Sequence, residues 1–267
     1  MQNSYRRILA ENDTYKTDKS VRTLNLFGPT LSFYPRLTKI IYGGSKTARK
    51  GEYNEYAWAN SALDIFEAIE TSGVVVNIEG MQHLRNLEGP AVIIGNHMSS
   101  METMLPVTMI QPVKPFCYVV KKELATYPIF SDVVMAREPI VVGRTNPRED
   151  LKIMMEEGAE RLGKGKSILI FPQKTRSVQF IASEFNSLGV KLAKKNNVPV
   201  IPFAVLTDAW SNGKRLKDFG KIDPSKPTHF AFGAPINVES KGQEEHEQVI
   251  DFIAGKLTEW GRPELVI

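Results

Sequence analysis

Four histidines occur in this chain, and three of them stand five positions before an acid: His83 before Glu88, His97 before Glu102, and His246 before Asp251. An imidazole backed by a carboxylate is what general-base catalysis needs. The acid fixes the ring's tautomer and stabilises the imidazolium that forms when the ring takes a proton. Spacing alone does not choose among the three, so context must. In a continuous helix a five-residue step turns the chain by about 140°, so His246 and Asp251, both within the helical stretch 243–256, are expected on different faces as surface residues. His83 and Glu88 lie in a glycine-bounded connection, 80–89, that reads as a solvated loop. His97 alone follows an aliphatic run, Ala91-Val92-Ile93-Ile94, and then a Gly95-Asn96 pair. That is the pattern of a buried strand leaving its sheet through a tight turn, where functional side chains are displayed. Glu102 also fits a capping box, Ser99-x-x-Glu102, with Ser100 as a second possible cap. An acid in the first turn of a helix can fill that role and still face an imidazole standing just before the helix.

A second group of reactive side chains follows another apolar run. Ser167 to Phe171 leads into Pro172-Gln173-Lys174-Thr175-Arg176-Ser177, which offers two cations, two hydroxyls and backbone amides. A planar guanidinium and a lysine point charge both suit a phosphate. Judged alone, the segment reads either as a phosphate site or as a solvated basic turn. Upstream, Pro139-Ile140-Val141-Val142-Gly143-Arg144 ends a further strand on an arginine.

The elements that must position these residues are legible as short aliphatic runs at 74–76, 91–94, 116–120, 140–142, 167–171 and 198–205, separated by amphipathic stretches. Helices are expected over 147–162, capped by Asn146, and over 187–195. This is the signature of an α/β fold with a mostly parallel central sheet flanked by helices, which binds ligands beyond the carboxyl ends of its strands. Residues 53–71 carry Ala57, Trp58, Ala62, Ile65, Phe66 and Ile69 near helical spacing and read as a core-covering helix. Residues 24–42 differ in kind, mixing aromatic and aliphatic side chains with Pro29, Pro35, Arg36 and Lys39. They suit a membrane-interfacial element, or equally an arm packed on the domain. The expected organisation is a helical or interfacial N-terminal extension over 1–52 and a single α/β domain over 53–267.

Composition narrows the function classes. With 267 residues, 42% hydrophobic and 24% charged, the chain can build one large core. A net charge of +4 suits anionic ligands or lipid surfaces without demanding them, and no RNP-like aromatic motif, zinc-ligand spacing or long basic run points to nucleic acid. No clustered ligand set implies a metal. The single cysteine, Cys117, sits in an apolar run and reads as a buried small hydrophobe in a reducing compartment. A polar N-terminus argues against a secretory signal, and no apolar stretch approaches the roughly 18 residues of a membrane span. A Gly-x-Ser-x-Gly elbow is absent, which disfavours an α/β-hydrolase. The near P-loop 158–164 ends on Gly165 and leads from helix into strand, the reverse of the required context.

Taken in order, the His97 to Glu102 block, the strand ending at Arg144, the loop Phe171 to Ser177 and the strand Val198-Pro199-Val200-Ile201-Pro202-Phe203 resemble the glycerolipid acyltransferases, the family that includes the 1-acylglycerol-3-phosphate acyltransferases. Val120-Lys121-Lys122-Glu123-Leu124 is similar to that family's Lys-Lys-Glu-Leu segment. The resemblance extends more loosely to Phe232-Gly233-Ala234-Pro235-Ile236. It implies that His97 is the general base and Glu102 its orienting acid. It further implies that Arg144, Thr175, Arg176 and Ser177 hold the acceptor's phosphate, with Lys121 near the reacting carbonyl; Lys174, where the family has glycine, would add a phosphate contact of this chain's own. The implied reaction moves a fatty acyl chain from a thioester of coenzyme A or acyl carrier protein, as co-substrate, to a lysophospholipid hydroxyl, with no cofactor. The implied setting is phospholipid biosynthesis by a cytoplasmic protein, peripheral on the inner face of a membrane. A non-catalytic lipid-binding protein retaining this fold is the alternative. Two positions depart from the family pattern: Glu102 stands where it has aspartate, and Gln173-Lys174 where it has Glu-Gly. The second change exchanges a carboxylate for an amide and a residue suited to positive φ for a bulky cation. Either the acceptor differs or acyl transfer has been lost.

Overall fold

A computed structural model describes residues 11–18, 20–21, 23, 27–143, 145–213, 217–239 and 241–267. In chain order the elements are β1 (Tyr15–Lys16), α1 (Pro29–Arg49), α2 (Glu55–Thr71), β2 (Val76–Glu79), α3 (Met81–Arg85), β3 (Val92–Gly95), a 3-10 turn (Met101–Thr103), α4 (Pro106–Ile110), β4 (Phe116–Lys121), α5 (Phe130–Met135), β5 (Ile140–Val142), α6 (Pro147–Gly163), β6 (Ser167–Ile170), α7 (Leu188–Lys195), β7 (Val200–Leu206), β8 (Thr228–Phe232) and α8 (Gln243–Glu259).

The strands form one sheet in the order β1-β2-β8-β7-β3-β6-β4-β5. Strands β3 to β7 are parallel, with Val92 opposite Ile168 on one side and Val200 on the other. At the far edge β8 runs antiparallel to β7, β2 parallel to β8, and β1 antiparallel to β2. The central strands β3, β6 and β7 are buried along their whole length, as a sheet covered on both faces requires. This is the expected α/β architecture. Helix α2 lays Trp58 against Phe116 of β4, and α7 brings Gly189 close to Ile94 of β3.

Local chemistry accounts for the helix starts. Asn54 accepts a hydrogen bond from the Ala57 amide at 3.1 Å, capping α2, and Asn146 accepts from Arg148 and Glu149 ahead of α6, with Pro147 at its first position. The stretch expected as a solvated loop at 80–89 instead holds the one-turn helix α3, with Met81 and Leu84 fully buried. Gly80 permits it: at φ 79° its backbone is left-handed, and a Cβ there would lie 2.0 Å from the Phe232 carbonyl oxygen. Two apolar residues three apart are too few to reveal a helical period. Strands β1 and β8 were likewise not anticipated, because each is short and lacks an aliphatic run.

Helix α1 covers much of the segment that sequence left between two readings. Phe33 and Leu37 are buried against the domain, while Leu31 and Tyr42 are exposed. Among the described residues, no helix is long and apolar enough to cross a membrane.

Candidate functional site

The parallel strands end together on one edge of the sheet, and that edge collects the chemistry. Lys121 closes β4, the Pro172 to Ser177 loop follows β6, His97 follows β3, and Thr207 follows β7. Arg144, expected after β5, lies outside the described residues.

The chain leaves the sheet abruptly at His97, and three local features make that exit possible. Asn96 is buried, and its amide replaces the ladder: its nitrogen donates to the Val205 carbonyl at 2.9 Å while its oxygen accepts from the Val205 amide at 2.8 Å. Gly95 lets two rings approach, since a Cβ there would meet Phe203 at 2.9 Å and Phe171 at 3.3 Å. Gln173 and Ser177 then hold the turn. The Gln173 side-chain oxygen accepts from the His97 amide at 2.6 Å, and the Ser177 amide donates to the His97 carbonyl at 2.9 Å. The basic loop after β6 is therefore stitched to the main chain of the histidine on both sides.

The imidazole stacks on Phe171, centroids 4.7 Å apart and planes at 14°, and its side chain keeps 15% exposure while that of Glu102 has none. His97 Nδ1 lies 2.8 Å from Glu102 Oε1. The same oxygen accepts from the amides of Met98 (2.5 Å) and Ser99 (2.6 Å), and Oε2 accepts from the hydroxyls of Ser99 (2.9 Å) and Thr207 (2.6 Å). Burial alone would raise the Glu102 pKa, but the bond and charge of His97, helped by the Thr207 hydroxyl, outweigh it and hold the carboxyl below its ordinary value. A carboxylate with every neighbour donating to it leaves Nδ1 one role, that of donor. The lone pair of the neutral ring then sits on Nε2. The capping return to the Ser99 amide is present as well, so Glu102 combines both readings of its position.

Of the other histidines, His83 is half-buried on α3, and His229 and His246 pack against aromatic rings. His246 places Nε2 2.9 Å from the Phe185 carbonyl oxygen and stacks on the Phe185 ring, so it is half-buried rather than a surface residue. His229 stacks on Trp260 at 4.9 Å. Burial is the leading cause that lowers both pKa values from the ordinary 6.5. A base whose folded pKa is depressed is neutral in both states above pH 6.5. Below it the unfolded chain binds protons that the fold resists, and stability falls with pH. The urea midpoint is expected to decline as pH drops below 6.5, and a His229→Gln, His246→Gln double variant should decline less steeply. An identical slope in the double variant would refute this assignment.

Within the loop, Lys174 and Thr175 are exposed and Arg176 and Ser177 half-buried. Lys174 is not among the residues with positive φ, so the family's glycine is not needed here for its backbone conformation. The Gln173 amide retains an acceptor oxygen for the His97 amide, which a glutamate would also supply. Arg176 donates to the Ser100 hydroxyl and forms an ion pair with Asp218 at 2.7 Å. Ser177 spends its hydroxyl accepting from the Gln179 amide at 3.1 Å. Lys217 reaches the Thr175 hydroxyl at 3.3 Å. The structure thus gathers His97, Glu102, Gln173, Thr175, Arg176 and Ser177 around one turn. Lys121 ends a strand two places from β3, about 10 Å away by strand spacing alone.

Thr207 and the stacking role of Phe171 were not singled out from sequence, and Ser99 was read only as a helix cap. Thr207 carried no motif: it lies 105 positions from Glu102 and meets it only because β3 and β7 are neighbours. It is a positioning residue, and Thr207→Val is expected to lower kcat by about 3- to 10-fold, in line with one buried hydrogen bond of about 1 kcal/mol, with Thr207→Ser restoring it. Unchanged kcat in the valine variant would remove Thr207 from the site. Among the described residues, no three His, Cys, Asp or Glu side chains converge as a metal site.

Comparison with known proteins bears on the same stretch. The sequence model of the family described as Acyltransferase matches residues 75–206. A 1-acyl-sn-glycerol-3-phosphate acyltransferase of Pseudomonas aeruginosa is 30% identical over 147 residues, 55% of this chain and 54% of that protein. The chloroplastic 1-acyl-sn-glycerol-3-phosphate acyltransferase LPAT1 of Arabidopsis thaliana is 28% identical over 131 residues, 49% of this chain and 36% of that one. The chain thus matches about half of the first relative's length and less of the second's. Among solved structures, the 1-acyl-sn-glycerophosphate acyltransferase PlsC of Thermotoga maritima superposes with a TM-score of 0.68 at 20% identity, over 89% of this chain and 96% of that one. At that identity the likeness establishes the fold.

Proposed function

We propose that this chain, whose residues 75–206 match the acyltransferase family model, moves a fatty acyl chain from a thioester to the hydroxyl of a lysophospholipid, with 1-acylglycerol 3-phosphate as the favoured acceptor. The observation that carries this reading is the His97–Glu102 pair at the sheet's carboxyl edge, joined through both main-chain groups of His97 to the loop that bears Arg176.

In the proposed reaction the acceptor hydroxyl gives its proton to His97 Nε2 as its oxygen attacks the thioester carbonyl. The imidazolium is stabilised by Glu102, whose charge lies 2.8 Å from Nδ1. Collapse of the tetrahedral intermediate breaks the carbon–sulfur bond, and the thiol leaves with the proton that His97 held. Arg176 and Thr175, with Lys174 at the mouth of the loop, bind the acceptor's phosphate and bring its hydroxyl to the ring; Arg144 and Lys121 belong to the same edge as further cations. The donor is an acyl thioester of coenzyme A or of acyl carrier protein. The exposed Leu31 and Tyr42 of α1, beside its basic residues, support peripheral attachment to the cytoplasmic inner face of a membrane through that face of α1, while β1 and the buried Phe33 and Leu37 tie the same stretch of chain to the α/β domain.

The test is to supply the purified protein with acyl-coenzyme A or acyl-carrier protein and a panel of lyso-lipids, and to weigh the lipid products by mass spectrometry. A diacyl product whose mass rises by one acyl group supports the reading. Retention of lyso-lipid without conversion by any donor would establish the alternative, a lipid-binding protein on an acyltransferase fold.

A further inference from the structure

Arg176, the best-buried cation of the loop, already holds an anion of the protein's own. Its guanidinium donates to Ser100 and pairs with Asp218 at 2.7 Å, and Asp218 also accepts from the Ser100 hydroxyl at 3.2 Å. The two partners sit differently: the Arg176 side chain is 15% exposed and that of Asp218 45%. An ion pair with one member nearly half in water is weak, and a carboxylate in that position returns to solvent at little cost. A phosphate carries more charge and more acceptor oxygens than the carboxylate it would replace.

Next to Asp218 stands Lys217, whose amine is 3.3 Å from the Thr175 hydroxyl. The two residues therefore address the same loop with opposite charges, from a segment about 40 positions downstream of it. That segment is anchored at its base. Ser211 and Lys221 exchange main-chain and hydroxyl hydrogen bonds, and Gly220 packs so tightly that a Cβ would fall 1.6 Å from the Ser211 carbonyl oxygen. On one side the Asn212 side-chain nitrogen donates to the Met98 carbonyl at 2.8 Å, beside His97. On the other the Tyr34 hydroxyl of α1 donates to the Gly220 carbonyl at 2.6 Å. Described residues on both sides of Lys217 and Asp218 are thus tied to the site, through Asn212 to Met98 and through Gly220 to Tyr34.

We propose that Lys217 is a binding residue for the acceptor's phosphate and that Asp218 is the placeholder which that phosphate displaces from Arg176. The inference rests on the reading above for the identity of the acceptor. Lys217 then adds a cation that the family's sequence blocks do not contain. Asp218 keeps Arg176 oriented while the site is empty, and by competing with the phosphate it eases departure of a product that carries the same group.

Adjacent residues are therefore expected to shift affinity in opposite directions. A short-chain, monomeric 1-acylglycerol 3-phosphate is titrated into the purified full chain by calorimetry. Lys217→Ala should weaken binding about tenfold and Lys217→Arg restore it, whereas Asp218→Asn should tighten binding about tenfold and Asp218→Glu return it toward wild type. In turnover assays the same changes should appear in KM rather than kcat. Damage to the segment would weaken binding in both variants, and that result, or no change in either, would overturn the proposal. Because the binding measurement needs no turnover, absence of acyl transfer would defeat the functional reading while leaving this one to be decided by the titration.

Discussion

His97→Ala is expected to lower kcat by about 10²- to 10⁴-fold, the contribution of a positioned general base, while leaving the fold intact. The reason lies in which atoms of His97 do structural work. The turn is held by its main chain, through Gln173 and Ser177, and alanine keeps both of those bonds. The ring itself contributes one bond to Glu102 and a stack on Phe171. Losing them costs about 1–2 kcal/mol, because four other donors still surround the carboxylate. Activity and stability should therefore separate: kcat collapses and the thermal midpoint moves by only a few degrees. A variant that turns over at the wild-type rate would remove His97 from the chemistry. One that fails to fold would show that the ring, and not the main chain, holds the turn.

Glu102→Ala is expected to damage both. The side chain is fully buried, and its removal strands the amides of Met98 and Ser99 and the hydroxyls of Ser99 and Thr207 without their acceptor. Breaking a buried charged network in this way costs about 3–5 kcal/mol, about 6–20 °C of thermal midpoint for a chain of this size. Activity should fall as far as in His97→Ala, since the ring loses its orientation. Glu102→Gln separates the roles. The amide oxygen still accepts from the main chain and from Nδ1, and the hydroxyls can rotate to accept from its nitrogen. Only the charge is lost, so kcat should fall about tenfold, the difference between a charged and a neutral hydrogen bond. The sign of the pH dependence follows. The Glu102 pKa is depressed in the fold, so its contribution is complete above the ordinary 4.5 and lost as pH falls through the lower folded value. A Glu102→Ala variant that melts with wild type would contradict the network.

What the sequence could and could not disclose follows from distance along the chain. His97 and Glu102 were legible because strand, turn and acid occupy one short stretch, and the sheet was legible because central parallel strands are apolar on both faces. Gln173 was visible as a departure from the family pattern, but its bond to the His97 amide was not, since it depends on β3 and β6 being neighbours. Thr207 and Asp218 were invisible for the same reason. Each joins the site across more than 100 positions through tertiary packing that no local period records. The solvated loop expected at 80–89 failed on a different ground, because a single helical turn with two buried residues has no periodicity to detect.

The central claim, that this chain transfers acyl groups rather than merely holding lipid, is tested most directly by timing thiol release from an acyl thioester with and without a 1-acylglycerol 3-phosphate acceptor, for wild type beside His97→Ala. The account predicts release that depends on the acceptor in wild type, matches diacyl product one for one, and nearly vanishes in the variant. Release that ignores the acceptor, or that persists unchanged without the imidazole, would contradict it.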